Sequence, residues 1–214
     1  MLKNRVMRTN QEIRQEASVM LKGNWNVPVL VALVFGVIAS FTSCSFPLVL
    51  FVYAPMSLGF VKMMIGYVRG TQRMEVEGIF SAFNSTYYWK SMGLYLLQGI
   101  YTALWTLLFI IPGIVKYCSY FFAPYILADN PTMTAEESIC RSMQIMEGHK
   151  MQLFLMLLGY TALAMLSSIL LFIPMLWIMP YYQVALVKFY EDKKVLYKIK
   201  EQLDEGHQVY IISP

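Results

Sequence analysis

IIPGIVKYCSYFFAPYILADNPTMTAEESICRSMQIMEGHK, residues 110–150, holds in one stretch the grammar of the whole chain. Pro112-Gly113 interrupts an apolar run. Residues 114–128 read as a short apolar helix with Ala123-Pro124 inside it. Asp129-Asn130-Pro131 ends that helix, because the residue before a proline is pushed out of helical geometry. Thr134-Ala135-Glu136-Glu137 then opens a new helix as a capping box, in which the threonine hydroxyl and a glutamate carboxylate take free amide protons of the first turn. Ile139, Met143 and Met146 line one face of it. Gly148-His149-Lys150 leads back into the next apolar run.

Working outward, composition places the chain in a membrane. It has 214 residues, 57% of them apolar and 14% charged, with a mean hydropathy of +0.51. Soluble domains carry about 25% charged residues. No Asp, Glu, Lys or Arg occurs in residues 23–61, 91–115 or 151–187. A membrane helix needs roughly 20 apolar residues, so the first and third runs each have room for two short spans. The expected architecture is all-α. It is a single polytopic membrane domain, residues 1–214, with about six transmembrane helices in three proline-broken hairpins.

Each hairpin is preceded by a polar link that reads as an amphipathic helix. In the first link Ile13, Ala17, Met20 and Leu21 share one helical face, and in the second Val76, Ile79, Phe80 and Phe83 do. Such a helix lies in the headgroup layer or packs on its own protein. After Lys188 the chain turns polar, and Val195, Leu196, Ile199 and Leu203 suggest a further helix of this kind within a polar tail, 193–214. The first apolar run is expected to act as an uncleaved insertion signal.

Three similar units emerge, 10–70, 72–130 and 132–192. Each has a marker (Trp25, Trp89, His149), then a proline break (Pro47, Pro112, Pro174), then a second proline (Pro55, Pro124, Pro180). A long fixed period suggests a repeated supersecondary unit. Every cation but Lys116 falls on the links or their borders. The positive-inside rule therefore predicts that both termini and all link helices are cytoplasmic. The net charge of +4 is spread over these short links rather than gathered on one polar face, which argues against nucleic-acid binding.

Candidate sites are few. Lys116 is the one cation inside an apolar stretch; snorkelling of its ammonium to water is the first expectation and a pathway or lipid-phosphate role the second. His149 and Lys150 are candidates for a lipid headgroup, and Asp129 for a pathway or a solvated loop start. Trp25 and Trp89 read as interface anchors. His149 and His207 are far apart, and Cys44, Cys118 and Cys140 show no paired spacing, so no metal, cofactor or disulfide framework is expected. No nucleotide-binding loop, nucleophile elbow or zinc-protease motif occurs, and no catalytic residue is assigned.

Tyr125-Ile126-Leu127-Ala128-Asp129-Asn130-Pro131, followed by Ser142-Met143 and Met146-Glu147-Gly148-His149-Lys150, resembles the DUF975 family of bacterial integral membrane proteins of unknown function. Leu21-Lys22-Gly23-Asn24-Trp25, Ile111-Pro112-Gly113-Ile114 and Pro180-Tyr181 match in the same order. Near Met175-Leu176-Trp177 the family's glycine is missing, and the linker after Arg69 is short. The resemblance implies a multi-pass protein of the bacterial cytoplasmic membrane and supplies no catalytic residues. The first functional expectation is a non-enzymatic protein that organises or senses the membrane, or docks a membrane-protein or cytoplasmic partner, through its cytoplasmic helices. A small transporter or channel at the proline-broken helices is the second, and a membrane-lipid-modifying enzyme the third. Membrane lipids are expected partners; the sequence leaves the oligomeric state open.

Overall fold

The computed structural model describes residues 8–23, 25–42, 48–169 and 174–204. Among these the secondary structure is all helical. The α-helices are α1 (Asn10–Leu21), α2 (Asn26–Thr42), α3 (Ala54–Val68), α4 (Ser85–Leu108), α5 (Ile110–Tyr120), α6 (Ala123–Asp129), α7 (Ala135–Ile145), α8 (Lys150–Ile169) and α9 (Met175–Asp204). A π-helical turn, Val49–Tyr53, leads into α3, and a 3-10 turn, Val76–Phe80, follows it. The expected turn at 43–47 with Pro47 and Cys44, and the tail with His207, lie outside the described residues.

Among the described residues three stretches are long and apolar enough to cross a membrane: Val49–Val68, Ile110–Asp129 and Lys150–Ser167. The number rises to four if α1 and α2, bent by 107° from each other, are taken as one span. Apolar side chains face outward in rows, Leu30, Leu33 and Val37 on α2, Leu96, Ile100 and Leu104 on α4, and Leu155 and Leu158 on α8. Outward leucines at helical spacing fit a hydrocarbon surrounding.

The breaks follow from proline chemistry, and neighbours repair them. Pro55 has no amide proton for the carbonyl of Phe51, four residues back, and its ring would clash there. The π-turn widens the helix at this point, and the Tyr88 hydroxyl donates to the Phe51 carbonyl at 3.3 Å. Between α5 and α6 the chain kinks at Phe121-Phe122, before Pro124. There the Ser142 hydroxyl donates to the Ser119 carbonyl at 2.7 Å.

Two expected boundaries move. The second uncharged run, 91–115, does not break at Pro112. It ends at Phe109, which is fully extended at φ −158° and ψ 141°, and Pro112 sits in the first turn of α5, where its missing amide proton costs nothing. α5 then packs along α4, so closely at Gly113 that a Cβ there would lie 2.8 Å from the Thr106 Cα. The residues around Val76 form a 3-10 turn rather than an α-helix. It is pressed onto α3 at Gly59, where any Cβ would come within 2.9 Å of the Ile79 carbonyl carbon.

α9 is the mast of the fold. Its 30 residues reach about 45 Å at 1.5 Å per residue. It runs without interruption through Pro180 and Lys188 to Asp204, joining the expected sixth span and the expected tail helix into one. It contacts α1, α2, α3, α7 and α8. Tyr182, Val184, Ala185, Val187, Phe189 and Tyr190 are buried along it. Phe122 packs on Phe189 with ring centroids 5.7 Å apart, and Tyr125 on Tyr190 at 5.5 Å.

Candidate functional site

α1 starts with the capping box Thr9–Glu12, and α7 with the capping box Thr134–Glu137. The Thr134 amide donates to the Glu137 carboxylate at 2.8 Å, and the hydroxyl of Thr134 accepts from the Glu137 amide at 3.2 Å. These bonds hold the exposed Glu137 carboxyl below its usual range. Glu136 and Glu137 are thus helix-starting groups. α1 turns Ile13, Ala17 and Leu21 inward, all fully buried, so the protein itself covers its apolar face.

Charged side chains converge where α1, α3, α6 and α7 meet the last half of α9. Asp129, at the end of α6, is the hub. Its side chain is 5% exposed, and one oxygen accepts from Arg69 at 2.8 Å, from Lys194 and from the Tyr190 hydroxyl at 3.0 Å. Arg69 also donates to Glu191 at 2.6 Å. A second knot joins Arg8 to Glu16 at 2.6 Å and to Asp192 at 3.3 Å, with Lys188 on Glu16 at 3.0 Å. A third pairs Arg141 of α7 with Glu201 at 3.0 Å, beside the Tyr197 ring.

Burial perturbs several of these groups. Asp192 is pushed up to about 6, first by burial and then by Glu16, against the opposing pull of Arg8. One of its oxygens is buried without a hydrogen-bond partner. Lys193 is 3% exposed, and burial lowers it; its ammonium lies 5.1 Å from the Phe189 ring centroid. Burial and then the Lys193 charge lower His149.

The sequence candidates separate in space. Asp129 belongs to the knot just described. Lys116 stands apart from it, its ammonium 4.7 Å from the Trp105 ring centroid across the α4–α5 turn, a cation–π contact. His149 precedes α8 and Lys150 opens it, and the Lys193 charge acts on His149. Trp89 is 68% exposed and stacks edge-on with Tyr88, whereas Trp25 is partly buried against the core. Among the described residues no group of three or more His, Cys, Asp or Glu is placed to hold a metal ion.

Sequence reasoning missed the partners of Asp129, namely Arg69, Tyr190 and Lys194, and Glu191, which shares Arg69 with it. No local pattern marks them, because they meet only when α3, α6 and α9 cross. It also missed Thr9–Glu12, which carries the same Thr-x-x-Glu signature as Thr134–Glu137 and was legible.

A family model described as a protein of unknown function, DUF975, matches residues 7–119 and 112–195. The chain belongs to the DUF975 family. No curated protein matches it significantly, and no solved structure does. The two DUF975 matches overlap within α5, the helix of the Pro112-Gly113 turn. The second takes in the Asp129 knot as far as Lys194, and the first takes in Arg69.

Proposed function

We propose that this DUF975 protein is a non-enzymatic protein of the bacterial cytoplasmic membrane that docks a membrane-protein partner through the charged end of its bundle. In this reading the chain crosses the membrane six times in three proline-broken hairpins, and both termini and the charged end are cytoplasmic. The outward rows of leucine and the placing of nearly every cation on the links between the apolar runs or at their borders support that topology.

One observation carries the docking reading. α1 spends its apolar face on its own protein and leaves a different face open. Glu12, Gln15, Glu16, Val19 and Met20 of α1, with Lys188 of α9, line a cleft of about 470 Å³. Val19 is 69% exposed on it. An apolar side chain on an acidic rim fits a basic, amphipathic segment of another protein. Leaflet insertion by α1 draws no support, since Ile13, Ala17 and Leu21 are already covered.

The test is photo-crosslinking in cells from Gln15 and from Val19. A discrete adduct is expected at both positions, lost with Val19→Arg while the protein stays in the membrane. Absence of any adduct at either position overturns the reading.

A transport role draws on a separate observation. On α4 the Gln98 amide oxygen and the Thr102 hydroxyl, one turn apart, are buried without hydrogen-bond partners. Polar groups left open inside an apolar helix fit a site for a polar solute. Unchanged solute flux in liposomes on Gln98→Leu removes that reading.

A further inference from the structure

On the flank of the bundle an apolar groove of about 430 Å³ opens between α5 and α8. Ile111, Ile114 and Val115 form one wall and Met151 and Phe154 the other, with Cys118 and Lys150 completing the lining. We propose that this groove holds one acyl chain of an anionic phospholipid, with the lipid phosphate on the Lys150 ammonium.

Four observations converge on that occupant. The volume falls within the range of ligand sites, roughly 300–1,000 Å³. Ile111, Ile114, Val115 and Met151 are themselves exposed, so the groove is continuous with an outward apolar surface. A hydrocarbon chain enters such a groove from the bilayer without crossing water. Lys150 is the only charged residue in the lining, and it stands at the first residue of α8, where an apolar run meets the polar link. Among the described residues Lys150 has no carboxylate within ion-pairing distance, whereas Lys188 and Lys194 each have one.

The surrounding charge has the right sign. Burial first, and then the Lys193 ammonium, depress the proton affinity of His149, next to Lys150, so a second cation stands close to this end of α8. A phosphate at Lys150 therefore meets a positive local potential. A zwitterionic headgroup offers the same phosphate but carries its own cation, so the net attraction falls.

The inference rests on reading α8 as a membrane span. The full chain, extracted in detergent, is incubated with phosphatidylglycerol or phosphatidylcholine of identical chains, and retained lipid is counted by native mass spectrometry. One phosphatidylglycerol is expected to remain bound, with a preference of about fivefold over phosphatidylcholine, the factor one lysine contributes at an anionic lipid surface. Lys150→Gln should bring the two lipids to parity, and Lys150→Arg should keep the preference. Val115→Trp, or Met151→Trp if that variant fails to fold, should fill the groove and shed lipid of either kind. Equal retention of the two lipids by the native chain overturns the proposal, and so does a preference that survives Lys150→Gln. Carbonate washing of membranes is read in parallel: a chain released by it overturns the membrane reading itself, apart from the groove.

Discussion

Arg69 donates to Asp129 across 2.8 Å although 60 residues separate them, and the acceptor is almost wholly buried. The bond ties the end of α3 to the end of α6, and Lys194 brings α9 to the same oxygen. Asp129 thus fixes the ends of α3 and α6 against the side of α9. Asp129→Ala leaves Arg69, Lys194 and the Tyr190 hydroxyl without their shared acceptor. Removing a charged acceptor shared by three donors, two of them partly exposed cations, costs about 1.5–3 kcal/mol. The expected result is a marked drop in the thermal unfolding midpoint, larger than that of Glu201→Ala, because the Glu201 side chain is 39% exposed and that of Asp129 only 5%. Equal drops in fluorescence-detected unfolding would show that Asp129 is no hub.

Tyr88→Phe tests the repair of the proline break. The Phe51 carbonyl then loses its donor at an exposed position of the helix. Such a loss costs about 0.5–1.5 kcal/mol. Pro55→Ala on the same background should recover part of it, because an amide proton returns to the helix. The measure is the unfolding midpoint of the two variants and their combination.

Gly113→Ala drives a Cβ against Thr106 on α4, with the Thr106 Cα at 2.8 Å. Backbone cannot step aside cheaply, and overpacking of this kind costs about 1–3 kcal/mol. Gly36→Ala in α2 meets nothing within 4 Å and should leave stability unchanged or slightly raised. Heating the two variants side by side decides the matter.

Asp192 gives stability a distinctive pH dependence. Burial raises its carboxyl to about 6 in the folded protein, above the unfolded value near 4. Between those values the folded state holds more protons than the unfolded one. Its contribution to stability is thus present at low pH and is lost as pH rises from about 4 to about 6. Asp192→Asn should flatten that part of the curve and leave the protein relatively more stable above pH 6. His149 should respond to a neighbour in turn: Lys193→Gln removes a positive charge, and the His149 titration followed by NMR should move up toward the ordinary histidine value.

Cys140 is exposed on α7, whereas Cys118 is buried. With Cys44 replaced by serine, a water-soluble maleimide should label Cys140 in inverted vesicles and not in intact cells. Labelling from outside would reverse the proposed orientation.

Several elements could be read without a structure because their causes act within a few residues. Thr134 and Glu137 lie three positions apart, and their capping box depends on little beyond that spacing. Pro131 ends α6 by a clash with its own neighbour. Long runs without charge mark apolar helices whatever they pack against. The Pro112 break was misplaced by three residues for an equally local reason: a proline is tolerated in a first turn, so the helix restarts before it, at Ile110.

Tertiary structure alone decided the rest. Whether α9 stops at Lys188 or continues to Asp204 cannot be read from its sequence, which turns polar there. It continues because Arg8, Glu16, Arg69, Asp129 and Arg141, from four other helical regions, hold its polar half by ion pairs. The same is true of Tyr88 at Phe51 and of Ser142 at Ser119. Hydrophobic period and proline chemistry are local and survive in a linear reading. An ion pair or a carbonyl repair between residues 23 to 172 positions apart exists only once helices have crossed.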